Sequence, residues 1–198
     1  MIAVILYHLS PGAAVGGYLG VDIFFVISGF LITALLLREK ASTGRIRLGS
    51  FWLRRARRLL PALFALVLLC CTAAWAIGGN VLVDLLRQVT GAATFSSNWL
   101  AIAGHRSYFD ETAPELFRNL WSLAVEEQFY LLWPLAVLLL VLVRMRWLRL
   151  GIVVALGVAS VLAMALIYVP GADATRVYYG TDTHSFGLAI GAALAVLS

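Results

Sequence analysis

His8, in the stretch LYHLSPG, is one of three histidines in the chain, and an imidazole is the side chain best suited to take a proton near neutral pH. Its place near the end of an apolar stretch fits that role or a plain structural one. Arg55 and Arg58, in FWLRRARRLLPAL, are three residues apart where a helix begins, so both point to one face. They could clamp the phosphates of a ligand arriving from one side of a membrane, or simply form the basic flank that a membrane span carries. Glu126 and Glu127, in SLAVEEQFYLLWP, head an apolar helix and diverge by about 100° around it. A carboxylate there is expensive to desolvate, so either one of them faces a polar cavity or both lie at a wet rim. Trp121, Phe129, Tyr130 and Trp133 put aromatic bulk around the same turns, which suits a pocket for a bulky or sugar-like ligand.

The elements that must position these residues are membrane helices. Of the 198 residues, 62% are apolar and only 13% charged, and the mean hydropathy is +0.94, far outside the range of a soluble globular domain. Apolar runs of the roughly 20 residues needed to cross a bilayer lie at 18–37, 59–77, 122–143 and 151–169. Two more look cut short, at 1–9 and at 181–198. The fold class expected is therefore all-α, a polytopic transmembrane helix bundle with about six spans or partial spans. The chain opens on MIAVILYHL, without the basic n-region or small-residue cleavage site of a secretory signal, and it reads as a fragment of a larger membrane domain, truncated at both ends.

Charge fixes the expected topology. Eleven of the fifteen Lys and Arg fall at 38–58 and 144–149, and the positive-inside rule makes both stretches cytoplasmic loops. The net charge of +5 is then a topology signal and offers no basic soluble face for nucleic acid. With those loops inside, the segment 81–104 has both ends outside. Asp84, Arg87, Gln88, Ser96, Ser97 and Asn98 interrupt its apolar content, so it is expected to be re-entrant or interfacial. Cys70 and Cys71, adjacent within one span, read as packing residues rather than a disulfide or metal framework. No Walker loop, GxSxG elbow, HExxH or CxxC pair occurs in the sequence, and no metal is expected.

Four stretches then point to a family. GGYLGVDIFFVISGFLIT at 16–33, FWLRRARRLLPAL at 51–63, LWSLAVEEQFYLLWP at 120–134 and RVYYGTDTHSFGLAIGAALA at 176–195 resemble, in this order, the acyltransferase 3 family of polytopic membrane acyltransferases. The resemblance implies a bundle of about ten membrane helices in a bacterial inner membrane. Such a bundle moves an acyl group, usually acetyl from acetyl-CoA, onto hydroxyls of extracytoplasmic glycans such as peptidoglycan or O-antigen. It implies His8 as the catalytic base, Glu126 as the carboxylate that orients or charge-stabilises it or binds the sugar, and Arg55 and Arg58 as the acyl-CoA site at the inner mouth. Trp121, Tyr130 and Asp182 are the expected substrate contacts. Within W-S-L-x-x-E, matched by Trp121, Ser122, Leu123 and Glu126, the resemblance favours Glu126 over Glu127. Asn119 and His184 depart from it, standing where many relatives have histidine and arginine. His105 and Asp110 also form an H-x4-D pair, a spacing used by a different class, the glycerolipid acyltransferases, whose other blocks are missing here. A transporter or flippase would share the buried charges, but it should bring half-chain repeats that the sequence lacks.

Overall fold

A computed structural model of the chain describes residues 19–106 and 115–198. His8, Asp110 and the partial span at 1–9 lie outside the described residues. In chain order the helices are α1 (Leu19–Thr43), α2 (Leu48–Ile77), α3 (Leu85–Ala93), α4 (Ser97–Ala103), α5 (Leu120–Leu140), α6 (Arg146–Ile167), α7 (Thr175–Tyr179), α8 (Thr181–His184) and α9 (Phe186–Leu197). A 3-10 turn, Gly79–Leu82, precedes α3, and no strand occurs among the described residues. Helices α1, α2, α5 and α6 are long and apolar enough to cross a membrane. The all-α membrane bundle is thus observed, with each of the four full-length apolar runs forming one long helix.

Two boundaries differ instructively from the hydropathy reading. Helix α2 begins at Leu48, not at 59, so Arg54, Arg55, Arg57 and Arg58 are helical and the connection from α1 shrinks to residues 44–47. Hydropathy marks the part of a helix that lies in hydrocarbon. Leu and Arg are good helix formers, so nothing obliges the backbone to unwind where the charges begin. The terminal run at 181–198 also divides, at Ser185, into the single turn α8 and the twelve-residue α9.

The segment 81–104 forms a short helical hairpin rather than a crossing. Helices α3 and α4 have nine and seven residues, about 14 and 10 Å at 1.5 Å per residue, well short of the roughly 30 Å of hydrocarbon. Phe95 takes the left-handed conformation between them (φ 52°), and the Ser96 N–H donates to Gly91 O at 2.9 Å, closing α3. Gly91 permits this close return, because a β-carbon there would lie 2.9 Å from Ser97 Cα.

The described residues fall into two compact units. One comprises residues 19–46, Ala136–Leu162 and Ser185–Ser198. Its centre is the packing of α9 on α1, where Gly187 and Gly191, one turn apart, let the α1 backbone approach as small-xxx-small faces do in membranes. Phe25, Leu36, Leu188 and Ala192 are fully buried along this seam. The other unit comprises Arg47–Leu135 and Ala163–His184 and holds the residues singled out by their chemistry.

Candidate functional site

Arg55 and Glu127 form a bidentate ion pair. The guanidinium donates from Nε to Oε1 and Oε2 at 2.9 and 3.1 Å and from Nη2 to Oε1 at 2.7 Å. The two side chains are 25% and 11% exposed, so this is a sheltered pair of the strong, fork-to-carboxylate kind. The same guanidinium lies over the ring of Tyr130, 3.2 Å from its centroid. The Tyr130 hydroxyl in turn donates to the carboxylate of Glu126, one helical turn back, and the Tyr130 carbonyl accepts a hydrogen bond from Trp52 Nε1 at 3.1 Å. Glu126 is 4% exposed. Neither glutamate is therefore at a wet rim: their 100° divergence on α5 gives Glu127 to α2 and Glu126 to Tyr130.

The structure brings one of the arginines expected at an inner mouth directly onto one of the two glutamates of α5. Arg55 lies seven residues into α2 and Glu127 seven residues into α5, each about 10 Å from its helix start, and their side chains touch. Arg58 is exposed and takes part in no hydrogen bond or ion pair among the described residues.

Glu127 is followed by a residue that sequence reasoning passed over. Gln128 Nε2 donates to Phe95 O at 2.7 Å and to Asn98 Oδ1 at 3.0 Å. Asn98 Nδ2 donates to Tyr179 O at 3.0 Å and to Thr181 Oγ1 at 2.9 Å. Thr181 Oγ1 closes the ring by donating to Gln128 Oε1 at 2.6 Å. Asn98 is fully buried, and a buried amide network of this kind is stabilising only when every member is satisfied. It ties the hairpin, α5 and the α7–α8 segment into one support behind the glutamates. Replacing Asn98 by leucine strands Gln128 and the Tyr179 carbonyl, so a loss of about 1–3 kcal/mol is expected. Thermal unfolding in detergent reads it, and an unchanged melting temperature would remove the network from the account.

Trp121 is 3% exposed and packs on Tyr178, Tyr179 and His184, with ring centroids 4.6, 5.6 and 5.4 Å away. Tyr130 is buried equally deeply. Among the expected substrate contacts, the exposed one is Asp182, which holds Arg176 through two hydrogen bonds of 3.0 and 2.7 Å; Arg176 also sits 5.3 Å from the Trp99 ring centroid. His184 and Tyr178 join this cluster from the RVYYGTDTH block, which was legible as a block but not as an aromatic wall. His105, exposed and left-handed (φ 50°), ends α4: the following Arg106 N–H donates back to Ala101 O at 3.0 Å. That gives it a helix-closing role.

The Arg176 guanidinium beside Asp182 holds its carboxyl below the ordinary aspartate value of 3.8, a hydrogen bond from the arginine being the main cause and burial a smaller opposing one. A carboxyl whose folded pKa is depressed contributes stability that is present above the unfolded pKa and lost as pH falls through the folded one. Asp182→Asn is thus expected to lower the melting temperature slightly at neutral pH, by an amount that shrinks once pH drops below about 4. A difference from wild type that persists unchanged at pH 3 would mean that the ion pair is not its source. The effect is small because the pair is largely open to solvent.

Four membrane-length helices, basic connections and a sheltered arginine–glutamate site define a polytopic membrane protein. The profile of the acyltransferase domain family, acyltransferase 3, matches residues 1–198, and the chain belongs to that family. It is 44% identical to a peptidoglycan O-acetyltransferase of Listeria monocytogenes, over 98% of this chain and 32% of the relative. It is 45% identical to a candidate peptidoglycan O-acetyltransferase of Bacillus subtilis, over 100% of this chain and 31% of the relative. A candidate O-acetyltransferase of Staphylococcus aureus is 40% identical, over 100% of this chain and 33% of the relative. The chain spans about a third of the length of these relatives. No solved structure matches it.

Proposed function

We propose that the chain is part of a membrane domain that transfers an acetyl group from acetyl-CoA to a hydroxyl of an extracytoplasmic glycan, with peptidoglycan as the acceptor class, in a bacterial plasma membrane. The observation that carries the reading is the Arg55–Glu127 contact. It brings the arginine-rich start of α2, suited to an anionic donor, to the level of the glutamates on α5, suited to a polar acceptor. A single reaction centre requires such convergence, because reacting atoms must come within about 3–3.5 Å. The relatives support the chemistry: one is a peptidoglycan O-acetyltransferase at 44% identity.

The donor set fits a coenzyme carrying several phosphates. Arg54, Arg57 and Arg58 are exposed on the first turns of α2, where guanidinium forks bind phosphate well. Acetyl-CoA supplies an activated acetyl group as a thioester. His8 takes the proton of the acceptor hydroxyl as its oxygen attacks the thioester carbonyl; a C–O bond forms, the C–S bond breaks, and the proton passes to the departing thiolate. Glu126 stabilises the imidazolium that forms in between. Trp121 and Tyr130, enclosed as they are, shape the acceptor pocket, and Asp182 meets the sugar from the open side. The products are a glycan acetate ester and coenzyme A.

The test is label transfer. Membranes containing the full-length protein, given acetyl-labelled CoA, are expected to place label in the cell-wall glycan in a form released by mild alkali, as an O-ester is. Label that is absent, or that resists alkali, would overturn the reading.

A further inference from the structure

Arg55 and Arg58 were grouped above by spacing, yet the fold treats them differently. Arg55 uses two of its nitrogens on both oxygens of Glu127 and lays its face on Tyr130. To bind a phosphate through the same fork it would have to leave a sheltered carboxylate without its counter-charge, an unfavourable exchange. Arg58, one turn on, is exposed and has no such engagement among the described residues. A chain of contacts also runs from Arg55 to the chemistry. Its guanidinium covers the Tyr130 ring, and the Tyr130 hydroxyl holds the Glu126 carboxylate.

We propose that Arg58 is the member of the pair that meets the phosphates of the donor, and that Arg55 is a positioning residue that holds Glu127 and Tyr130 and, through Tyr130, orients Glu126. The division rests on the acyl-CoA reading above for its Arg58 half. The Arg55 half stands on the geometry alone. It follows that the two arginines, alike in sequence, fail in different ways: loss of Arg58 weakens donor capture, and loss of Arg55 slows the step in which Glu126 acts.

Full-length protein purified in detergent is melted with and without coenzyme A, and rates in membranes are measured against the concentration of labelled acetyl-CoA. Without ligand, Arg58→Ala should melt like wild type. Arg55→Ala and Glu127→Ala should each melt more than about 5 °C lower, and the charge exchange Arg55→Glu/Glu127→Arg should recover at least half of that loss. Coenzyme A should raise the melting temperature of wild type and of the exchanged protein alike, and Arg58→Ala should need about tenfold more coenzyme A for the same rise. In the rate assay Arg58→Ala should raise the donor KM at least about tenfold with kcat unchanged. Arg55→Ala should lower kcat by a similar factor with KM unchanged. If the exchanged protein does not fold, Arg55→Lys serves in its place: it keeps the charge, loses the fork, and should lower kcat while sparing KM. A raised KM in Arg55→Ala or Arg55→Lys, or no recovery in a folded exchange, would overturn the positioning role. Wild type unshifted by coenzyme A and silent in the rate assay would overturn the Arg58 half together with the acyl-CoA reading, while the ligand-free melting series still decides Arg55.

Discussion

An alanine at Gly191 is expected to leave little folded protein in the membrane. A β-carbon there would lie 1.9 Å from Val26 O and 2.6 Å from Phe30 N, both backbone atoms of α1. Gly29 faces the same seam from the other side, its added β-carbon falling 2.0 Å from Leu188 O. No rotamer relieves an overlap with backbone, so α1 and α9 would have to separate, opening the contacts that bury Phe25, Leu188 and Ala192. Packing is the main force between helices in a bilayer, since lipid tails are as apolar as leucine, and overpacking of this severity costs about 3 kcal/mol or more. One control comes from the same chain. Gly151→Ala adds a methyl with nothing within 4 Å. Yield and melting temperature in detergent should therefore fall sharply for Gly29→Ala and Gly191→Ala and stay near wild type for Gly151→Ala. Wild-type melting of Gly191→Ala would mean that the α1–α9 approach is not as close as described.

His8→Ala is expected to lower acetyl transfer to glycan by about 10²–10⁴, the range that a general base contributes, at unchanged expression. A neutral hydroxyl is a poor nucleophile toward a thioester, so removing the group that takes its proton acts on the chemical step itself. The assay is the label transfer from acetyl-CoA, run with the variant and wild type at matched membrane levels. Equal labelling would remove His8 from the mechanism without touching the assignment of the reaction. A loss in both rate and protein level would instead point to a packing role.

What was legible in the sequence followed from local pattern. Four apolar runs were enough to place α1, α2, α5 and α6, because spanning a bilayer demands a length and composition that few other structures share. The polar breaks at Asp84, Arg87, Gln88 and Ser96–Asn98 were enough to reject a crossing between α2 and α5, since six such residues in hydrocarbon would each need a partner. The motifs around Arg55 and Glu126 marked the stretches of α2 and α5 whose side chains meet, and the match over residues 1–198 places the chain in the family they suggested.

Helix ends and pairings were a different matter. Hydropathy senses only where hydrocarbon stops, so it began the span at 59; the spacing of Arg55 and Arg58 pointed to an earlier helix start, and the structure puts it at Leu48. Spacing alone could not decide between two adjacent glutamates. Arg55 and Glu127 are 72 residues apart in sequence, and Asn98 and Thr181 are 83 apart. Such contacts depend on which faces of α2, α5 and the short helices meet. That is set by packing summed over many side chains, and by the need to satisfy each buried polar atom at once. Sequence by itself determined that this is a membrane bundle with charged groups at chosen depths. The tertiary structure decided which of those charges hold each other and which stays exposed and unpaired among the described residues, because an ion pair forms only where two helices bring the right faces together.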